Sequence, residues 1–157
     1  MPDVVTEIDE LTPWWLSDAL GARVDTVLPT RVGTGQIGTC HRLVLTGDGV
    51  PTSVLAKLPA ADRGTRAMLA GAYRAEVRFY AELARTVAVR APHAYLAASR
   101  GDGADFVLLL EDVVDAEPGD QLAGCTAADA AGAIVNLAAL HGPRWCDASL
   151  LDVDGLA

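Results

Sequence analysis

Residues 31–38 read Arg-Val-Gly-Thr-Gly-Gln-Ile-Gly, and residues 53–58, a short distance along the chain, read Ser-Val-Leu-Ala-Lys-Leu. Gly33, Gly35 and Gly38 have the spacing G-x-G-x-x-G, and Lys57 lies on the next extended segment. Glycine has no Cβ, so the backbone N–H groups of such a loop can turn inward and approach a phosphate closely. These two segments decide which fold the chain adopts.

The residues after the glycines separate two uses of this spacing. In dinucleotide-binding folds the glycines open a helix, and the pyrophosphate lies at its N-terminus. In this chain residues 39–45 instead alternate as a strand does, and Gly47-Asp48-Gly49 ends the run. The pattern therefore predicts that the glycines form the tip of a hairpin. A glycine-rich hairpin followed by a strand lysine covers the phosphates in protein-kinase-like folds; the alternative is an ordinary hairpin with a surface lysine.

A long helix is predicted over residues 61–87, with a kink at Gly71. Its apolar stripe consists of Leu69, Ala72, Tyr73, Phe79, Tyr80, Leu83 and Val87. Glu76 lies within this stripe, which places a carboxylate on the side of the helix that faces the protein. An unpaired buried charge costs several kcal/mol, so we expect Glu76 to have a cationic partner.

Lys57, 19 residues before Glu76, is the lysine on a candidate core strand. A strand lysine paired with a helix glutamate below a glycine-rich hairpin is held ready for the α- and β-phosphates of a nucleotide. We therefore predict a Lys57–Glu76 ion pair. The alternative is a solvated glutamate at the edge of the stripe.

Composition limits the classes of partner. The 157 residues are 51% hydrophobic but only 5% aromatic, which is typical of one globular domain with a core of small aliphatic side chains. A formal net charge of −9 argues against a nucleic-acid partner. Residues 1–10 lack a signal-peptide pattern, and no apolar run is long enough to predict a membrane span. The three cysteines suggest neither a disulfide frame nor a zinc site, and a cytoplasmic location is expected.

Three further segments are predicted from local signals. Thr12 and Pro13 begin a short helix that Gly21 ends. Residues 95–110 form a second hairpin, whose second strand is apolar throughout, as a strand buried on both faces should be. Residues 126–129 form a capping box that begins a helix ending at His141.

With these segments placed, the chain resembles the small-molecule branch of the kinase-like fold, which contains the aminoglycoside phosphotransferases and the ecdysteroid-kinase-like, choline-kinase-related proteins. Four segments carry the resemblance: residues 31–38, residues 75–83 (Ala-Glu-Val-Arg-Phe-Tyr-Ala-Glu-Leu), residues 107–113 (Val-Leu-Leu-Leu-Glu-Asp-Val) and residues 137–145 (Leu-Ala-Ala-Leu-His-Gly-Pro-Arg-Trp). Together they span nearly the whole chain, and their order and spacing match those of the bacterial members of the ecdysteroid-kinase-like group.

The resemblance implies an α+β fold: an N-terminal helical extension (residues 1–22), a kinase-like N-lobe of five antiparallel strands with one main helix (23–112), and a linker with the start of a C-lobe (113–157). It implies ATP or GTP with Mg²⁺, and transfer of the γ-phosphoryl to a hydroxyl of a small molecule. The family's roles carry over to Gly33, Gly35 and Gly38 as phosphate cover, to Lys57 as phosphate ligand, to Glu76 as its partner, and to Glu111, Asp112 and Val113 as the linker that offers adenine its backbone.

The family's catalytic loop and metal-binding aspartate have no counterpart in this sequence. His141-Gly142-Pro143 has proline where the loop has its acid, and Asp152-Val153-Asp154 comes too early. We therefore assign no catalytic or metal residue, and expect a truncated chain or fragment that is inactive alone. The alternative is a stand-alone nucleotide-binding or pseudokinase-like regulatory module. A dinucleotide-dependent oxidoreductase is disfavoured because no βαβ alternation is visible.

Overall fold

The computed structural model describes residues 2–33, 37–116, 119–120 and 122–153. These residues include five strands: β1 (Arg23–Val32), β2 (Thr39–Asp48), β3 (Ser53–Leu58), β4 (Ala94–Arg100) and β5 (Asp105–Glu111). They form one antiparallel sheet in the order β1-β2-β3-β5-β4. The prediction of an α+β chain with a five-stranded antiparallel sheet is confirmed.

Within the described residues, three α-helices accompany the sheet: α1 (Pro13–Leu20), α2 (Arg63–Arg78) and α3 (Ala127–His141). The predicted ends of α1 are correct, because the Thr12 hydroxyl accepts a hydrogen bond from the Trp15 N–H and Gly21 adopts a left-handed φ of 65°. The predicted capping box of α3 is also present, between Thr126 and Asp129.

The prediction of one helix over residues 61–87 is wrong at its C-terminal end. Helix α2 runs without interruption through Gly71 and ends at Arg78; a π-helical turn (Phe79–Leu83) and a 3-10 turn (Ala84–Thr86) follow. The apolar stripe continues through these turns, so periodicity alone does not distinguish them from α-helix. The sequence predicted no element after α3; there, as far as residue 153, the structure has two short 3-10 helices, Gly142–Arg144 and Ala148–Asp152.

Strand β2 extends past its predicted end at residue 45. It continues to Asp48 because Gly47 pairs with Val24, in a position where a Cβ would lie 2.0 Å from the carbonyl oxygen of Arg23. Only a glycine allows the two strands to approach this closely.

The two faces of the sheet bury different residues. One face carries Val54, Ala56 and Leu58 of β3 and packs against α1 and the N-terminal segment. The opposite face carries Leu55 and Lys57, because successive side chains alternate along a strand. On that face, α2 packs against β4 and β5 through a core cluster that includes Tyr73.

The β1–β2 part of this second face is open to solvent. Leu28 and Val44 pair across the two strands and are 66% and 44% exposed. The face is thus covered by α2 at one side and bare at the other. In the part of the chain that the structure describes, no helix combines the length and apolar character needed to cross a lipid bilayer.

Candidate functional site

The Lys57–Glu76 ion pair lies at the boundary between the covered and open parts of the second sheet face. The Lys57 ammonium donates to both carboxylate oxygens of Glu76, with Nζ–Oε distances of 2.6 Å. The two side chains are 20% and 31% exposed, so the pair is shielded by the protein yet open to a ligand. The predicted ion pair is therefore confirmed.

Strand register and helix geometry bring this pair together. Lys57 lies on β3 between its neighbours β2 and β5, where it pairs with Cys40 and Leu108. Glu76 lies on α2, one turn after Tyr73, which is 1% exposed and anchors the helix in the core. The lysine and the glutamate therefore both project from rigid elements rather than from loops.

The ion pair with Glu76 leaves one N–H group of the Lys57 ammonium for a ligand. An ammonium group has three N–H donors and no acceptor, and Glu76 takes two of those donors. The third donor remains for an anionic ligand, while the carboxylate fixes the direction in which the ammonium points.

The glycine-rich loop connects β1 to β2, as predicted, and Val32 pairs with Cys40 at its base. Gly33 has a left-handed φ of 71°, which favours glycine. A Cβ on Gly38 would lie 2.8 Å from the carbonyl oxygen of Leu58, the residue after Lys57. The C-terminal end of the loop is thus packed against the lysine strand; Gly35 lies outside the described residues.

An apolar surface beside the lysine was not identified from the sequence. Directly paired residues of antiparallel strands point to the same face, so the register places Val32, Cys40 and Leu55 on the face of Lys57. All three are half-buried. Recognising the surface requires the register of β1 with β2, which the sequence pattern did not supply.

The pKa of the Cys40 thiol reflects how far this surface beside Lys57 is removed from water. Its pKa is raised above the ordinary value for a thiol, chiefly because burial disfavours the thiolate; the positive charge of Lys57 acts against this shift and the carboxylate of Glu76 adds to it. The neutral thiol therefore contributes to the apolar surface.

Of the predicted linker residues, Glu111 is the last residue of β5, and Asp112 and Val113 follow it. Leu108 pairs with Lys57, and Glu111 pairs with Val54. Glu111 is therefore three residues along the strand from the level of Lys57, which is about 10 Å at about 3.3 Å per residue. The Glu111 N–H donates to the His93 carbonyl at 2.7 Å. Val113 is 46% exposed and lies with Glu111 at one wall of a cavity of about 1020 Å³ that α3 borders.

The side chain of Asp112 fastens the linker to the sheet. Its carboxylate accepts hydrogen bonds from Arg42 at 2.6 and 3.0 Å and from the Ser53 hydroxyl at 2.7 Å, and it is only 2% exposed. The hydrogen bond from Arg42, with the further one from Ser53, lowers the pKa of this carboxyl group, although burial acts in the opposite direction. The carboxylate thus has a structural task, which leaves only the backbone of this residue for the predicted adenine contact.

The structure brings most of the predicted residues to one region. Gly38 contacts the strand that carries Lys57, next to the Lys57–Glu76 ion pair, and Gly33 directly follows β1. Glu111, Asp112 and Val113 lie at the other end of β3, where Glu111 pairs with Val54. Among the described residues, no group of three or more histidine, cysteine, aspartate or glutamate side chains is arranged to hold a metal ion. Comparison of the chain with protein-family models, with curated proteins and with solved structures found no match.

Proposed function

We propose that this chain binds ATP or GTP and is the nucleotide-binding N-terminal part of a small-molecule kinase of the aminoglycoside phosphotransferase and ecdysteroid-kinase-like type. The observation that carries the proposal is the Lys57–Glu76 ion pair, which lies beside the glycine-rich loop on the half-open sheet face. In this proposal the sheet is the N-lobe, residues 23–112, and residues 113–157 are the linker and the start of the C-lobe.

The ion pair suits a phosphate ligand in two ways. The remaining N–H of Lys57 is directed by Glu76, so less side-chain entropy is lost when a phosphate oxygen binds. The side chains are only 20% and 31% exposed, so the pair is partly shielded from water where a phosphate would bind. Phosphate binding to the glycine-loop amides would complete the coordination of the anion.

The apolar surface beside the ion pair suits a nucleotide base. Val32, Cys40 and Leu55 form a half-buried platform on the same face as Lys57. Ligand sites of this kind are mostly apolar with a few fixed polar groups. A base on this platform would place its edge toward the linker, whose position is fixed by the contacts of Asp112 with β2 and β3.

Magnesium is expected with ATP in this family, but the described residues do not provide a carboxylate set for it. We therefore assign this chain no metal-dependent step and no base for the acceptor hydroxyl. The function that we propose for it is binding of the nucleotide.

Calorimetry with MgATP tests the proposal directly. The wild-type chain is expected to bind, and Lys57→Ala to lose at least about tenfold in affinity, since a charge-assisted hydrogen bond contributes about 1.5–3 kcal/mol. Arg23→Ala is the matched control: it removes one positive charge from an 82% exposed side chain at the opposite end of β1 from the glycine loop. It should leave the affinity unchanged.

Chemical labelling sharpens this test, because Lys57 is the only lysine in the sequence. An acyl-phosphate derivative of ATP should acylate Lys57, and excess ATP should prevent the labelling. Binding that Lys57→Ala leaves intact would contradict the proposed site, and absence of binding to the wild-type chain would contradict the proposal. The kinase and the regulatory module both require nucleotide binding. Only the kinase predicts that a longer form of the protein with a catalytic loop hydrolyses ATP or transfers its γ-phosphoryl.

A further inference from the structure

We infer that Tyr73 is a positioning residue that fixes the C-terminal end of the glycine-rich loop, Ile37 and Gly38, where it would contact the nucleotide phosphates. The inference rests on the proposed function, which it deepens by naming what fixes the loop. Tyr73 is buried, and its ring and its hydroxyl oxygen have separate partners.

The Tyr73 hydroxyl joins two segments of main chain. It donates a hydrogen bond to the carbonyl oxygen of Ile37, the residue before Gly38, and it accepts one from the N–H of Ala60 at 3.3 Å. Ile37 belongs to the C-terminal end of the glycine-rich loop, and Ala60 to the connection between β3 and α2. One oxygen atom of α2 thus binds both the C-terminal end of the loop and the connection that follows β3.

The ring of Tyr73 is fixed independently of the hydroxyl. The residue is 1% exposed, and its ring centroid lies 4.6 Å from that of Phe106 on β5. Packing in the core therefore decides where the oxygen lies, and the oxygen in turn decides where the Ile37 carbonyl lies. A loop carbonyl bonded to a rigid core side chain loses most of its freedom to move.

The same helix positions the lysine. Glu76 is three residues after Tyr73, so both project from one side of α2. Tyr73 holds the loop while Glu76 holds Lys57, and the two phosphate-binding elements are thereby aligned to one helix. Gly38 also packs against the Leu58 carbonyl, which fixes the end of the loop relative to the strand of Lys57.

Tyr73→Phe isolates this effect, because it removes the hydroxyl and retains the ring. Affinity for ATP should fall by on the order of fivefold, the effect of one lost hydrogen bond, while affinity for adenosine should change less than about twofold. Adenosine lacks the phosphates that the loop covers. A merely structural role would weaken the binding of both ligands equally.

Tyr95→Phe is the matched control. Tyr95 is also a partly buried tyrosine on the sheet, but it lies on β4 with its ring 4.9 Å from that of His93, away from the loop. The control should leave both affinities and the exchange rates of the loop amides unchanged.

Amide hydrogen exchange of the ligand-free chain, measured by NMR, separates failure of this inference from failure of the proposed function. In Tyr73→Phe the amides of Gly38 and Thr39 should exchange at least about threefold faster, while those of β5 should not change. Unchanged exchange at Gly38 and Thr39 would overturn the inference, as would an equal loss of ATP and adenosine affinity. If the wild-type chain bound no nucleotide, the phosphate role would fail with the proposed function, and faster exchange would still show that Tyr73 holds the loop.

Discussion

Strand β5 and helix α3 are both rich in aliphatic residues, yet they differ in how these residues are covered. On β5, residues 106–109 are 0% exposed, because α1 and α2 lie on opposite faces of the sheet. On α3 no residue is buried, and Ile134 and Val135 are 65% and 71% exposed. The same kind of side chain is therefore core in one element and surface in the other.

This difference shows that two kinds of stabilisation operate in the chain. The strand depends on tertiary burial, whereas α3 depends on local signals such as the Thr126 capping box. The described hydrogen bonds that tie α3 to the rest are few. The Ala88 N–H donates to the Ala139 carbonyl at 3.0 Å, and the Asn136 side chain accepts from the Arg90 N–H at 2.8 Å and donates to the Arg90 carbonyl at 3.5 Å. Isolated helices of about 12–15 residues are marginal in water, so α3 should open with little effect on the sheet.

The largest expected effect comes from a substitution in β5. Leu109→Ala removes a 0% exposed side chain from the core cluster beneath α1. It should lower the free energy of unfolding by about 2–5 kcal/mol, because buried methyl groups are lost and a cavity remains. Urea denaturation followed by circular dichroism measures this change.

Val135→Ala provides the contrast on α3. It removes methyl groups that are already largely in solvent, and alanine favours helix more than valine does. The free energy of unfolding should change by less than about 0.5 kcal/mol. A loss comparable with that of Leu109→Ala would show that the exposed face of α3 is covered in solution, and the contrast between the two regions would be broken.

An intermediate effect is expected where the linker meets the sheet. Asp112→Asn should lower the free energy of unfolding at neutral pH by about 1–3 kcal/mol, because it weakens the charge-assisted hydrogen bonds from Arg42. Asp25→Asn is the control, since the pair of Asp25 with Arg23 is exposed and should contribute less than about 1 kcal/mol.

The pH dependence of this difference has a definite sign. The pKa of Asp112 is lowered in the folded state, so its stabilising contribution is fully present above the unfolded-state pKa of about 3.9 and is lost as the pH falls through the folded-state pKa. The stability difference between wild type and Asp112→Asn should therefore be constant near neutral pH and shrink below about pH 4. A difference that persisted unchanged at lower pH would contradict the assigned role of the carboxylate.

The fold was predictable where local chemistry determines structure. Thr12, Gly21 and the Thr126 capping box mark helix ends through their own side chains or backbone. The Lys57–Glu76 pair was also predictable, although it joins two elements. A carboxylate within an apolar stripe requires a cationic partner, and Lys57 was the lysine on a candidate core strand. The energetic cost of burying an unpaired charge thus predicted a contact between two residues that lie 19 positions apart.

Other parts of the site had no such signal. The Asp112–Arg42 pair joins residues that are 70 positions apart, and both residue types are ordinary on a surface. The hydrogen bond from Tyr73 to Ile37 was equally hidden, because a tyrosine in an apolar stripe already has a sufficient reason in packing. The change to a π-helical turn after Arg78 leaves the apolar pattern intact. These features follow from three-dimensional register, which the sequence pattern specifies only after the strands are paired.

The smallest expected effects compare one substitution on two helices. Gly71 in α2 and Gly132 in α3 are both exposed, and a Cβ added at either would meet no atom within 4 Å. Alanine at either position should stabilise its helix by about 0.5–1 kcal/mol, because glycine loses more backbone entropy on folding. Gly71→Ala should raise the free energy of global unfolding by that amount, since α2 is packed into the core. Gly132→Ala should instead slow amide exchange within α3 by about two- to fivefold and leave global unfolding unchanged. An equal global gain from both substitutions would show that α3 unfolds together with the sheet, and the two regions would then form one cooperative unit.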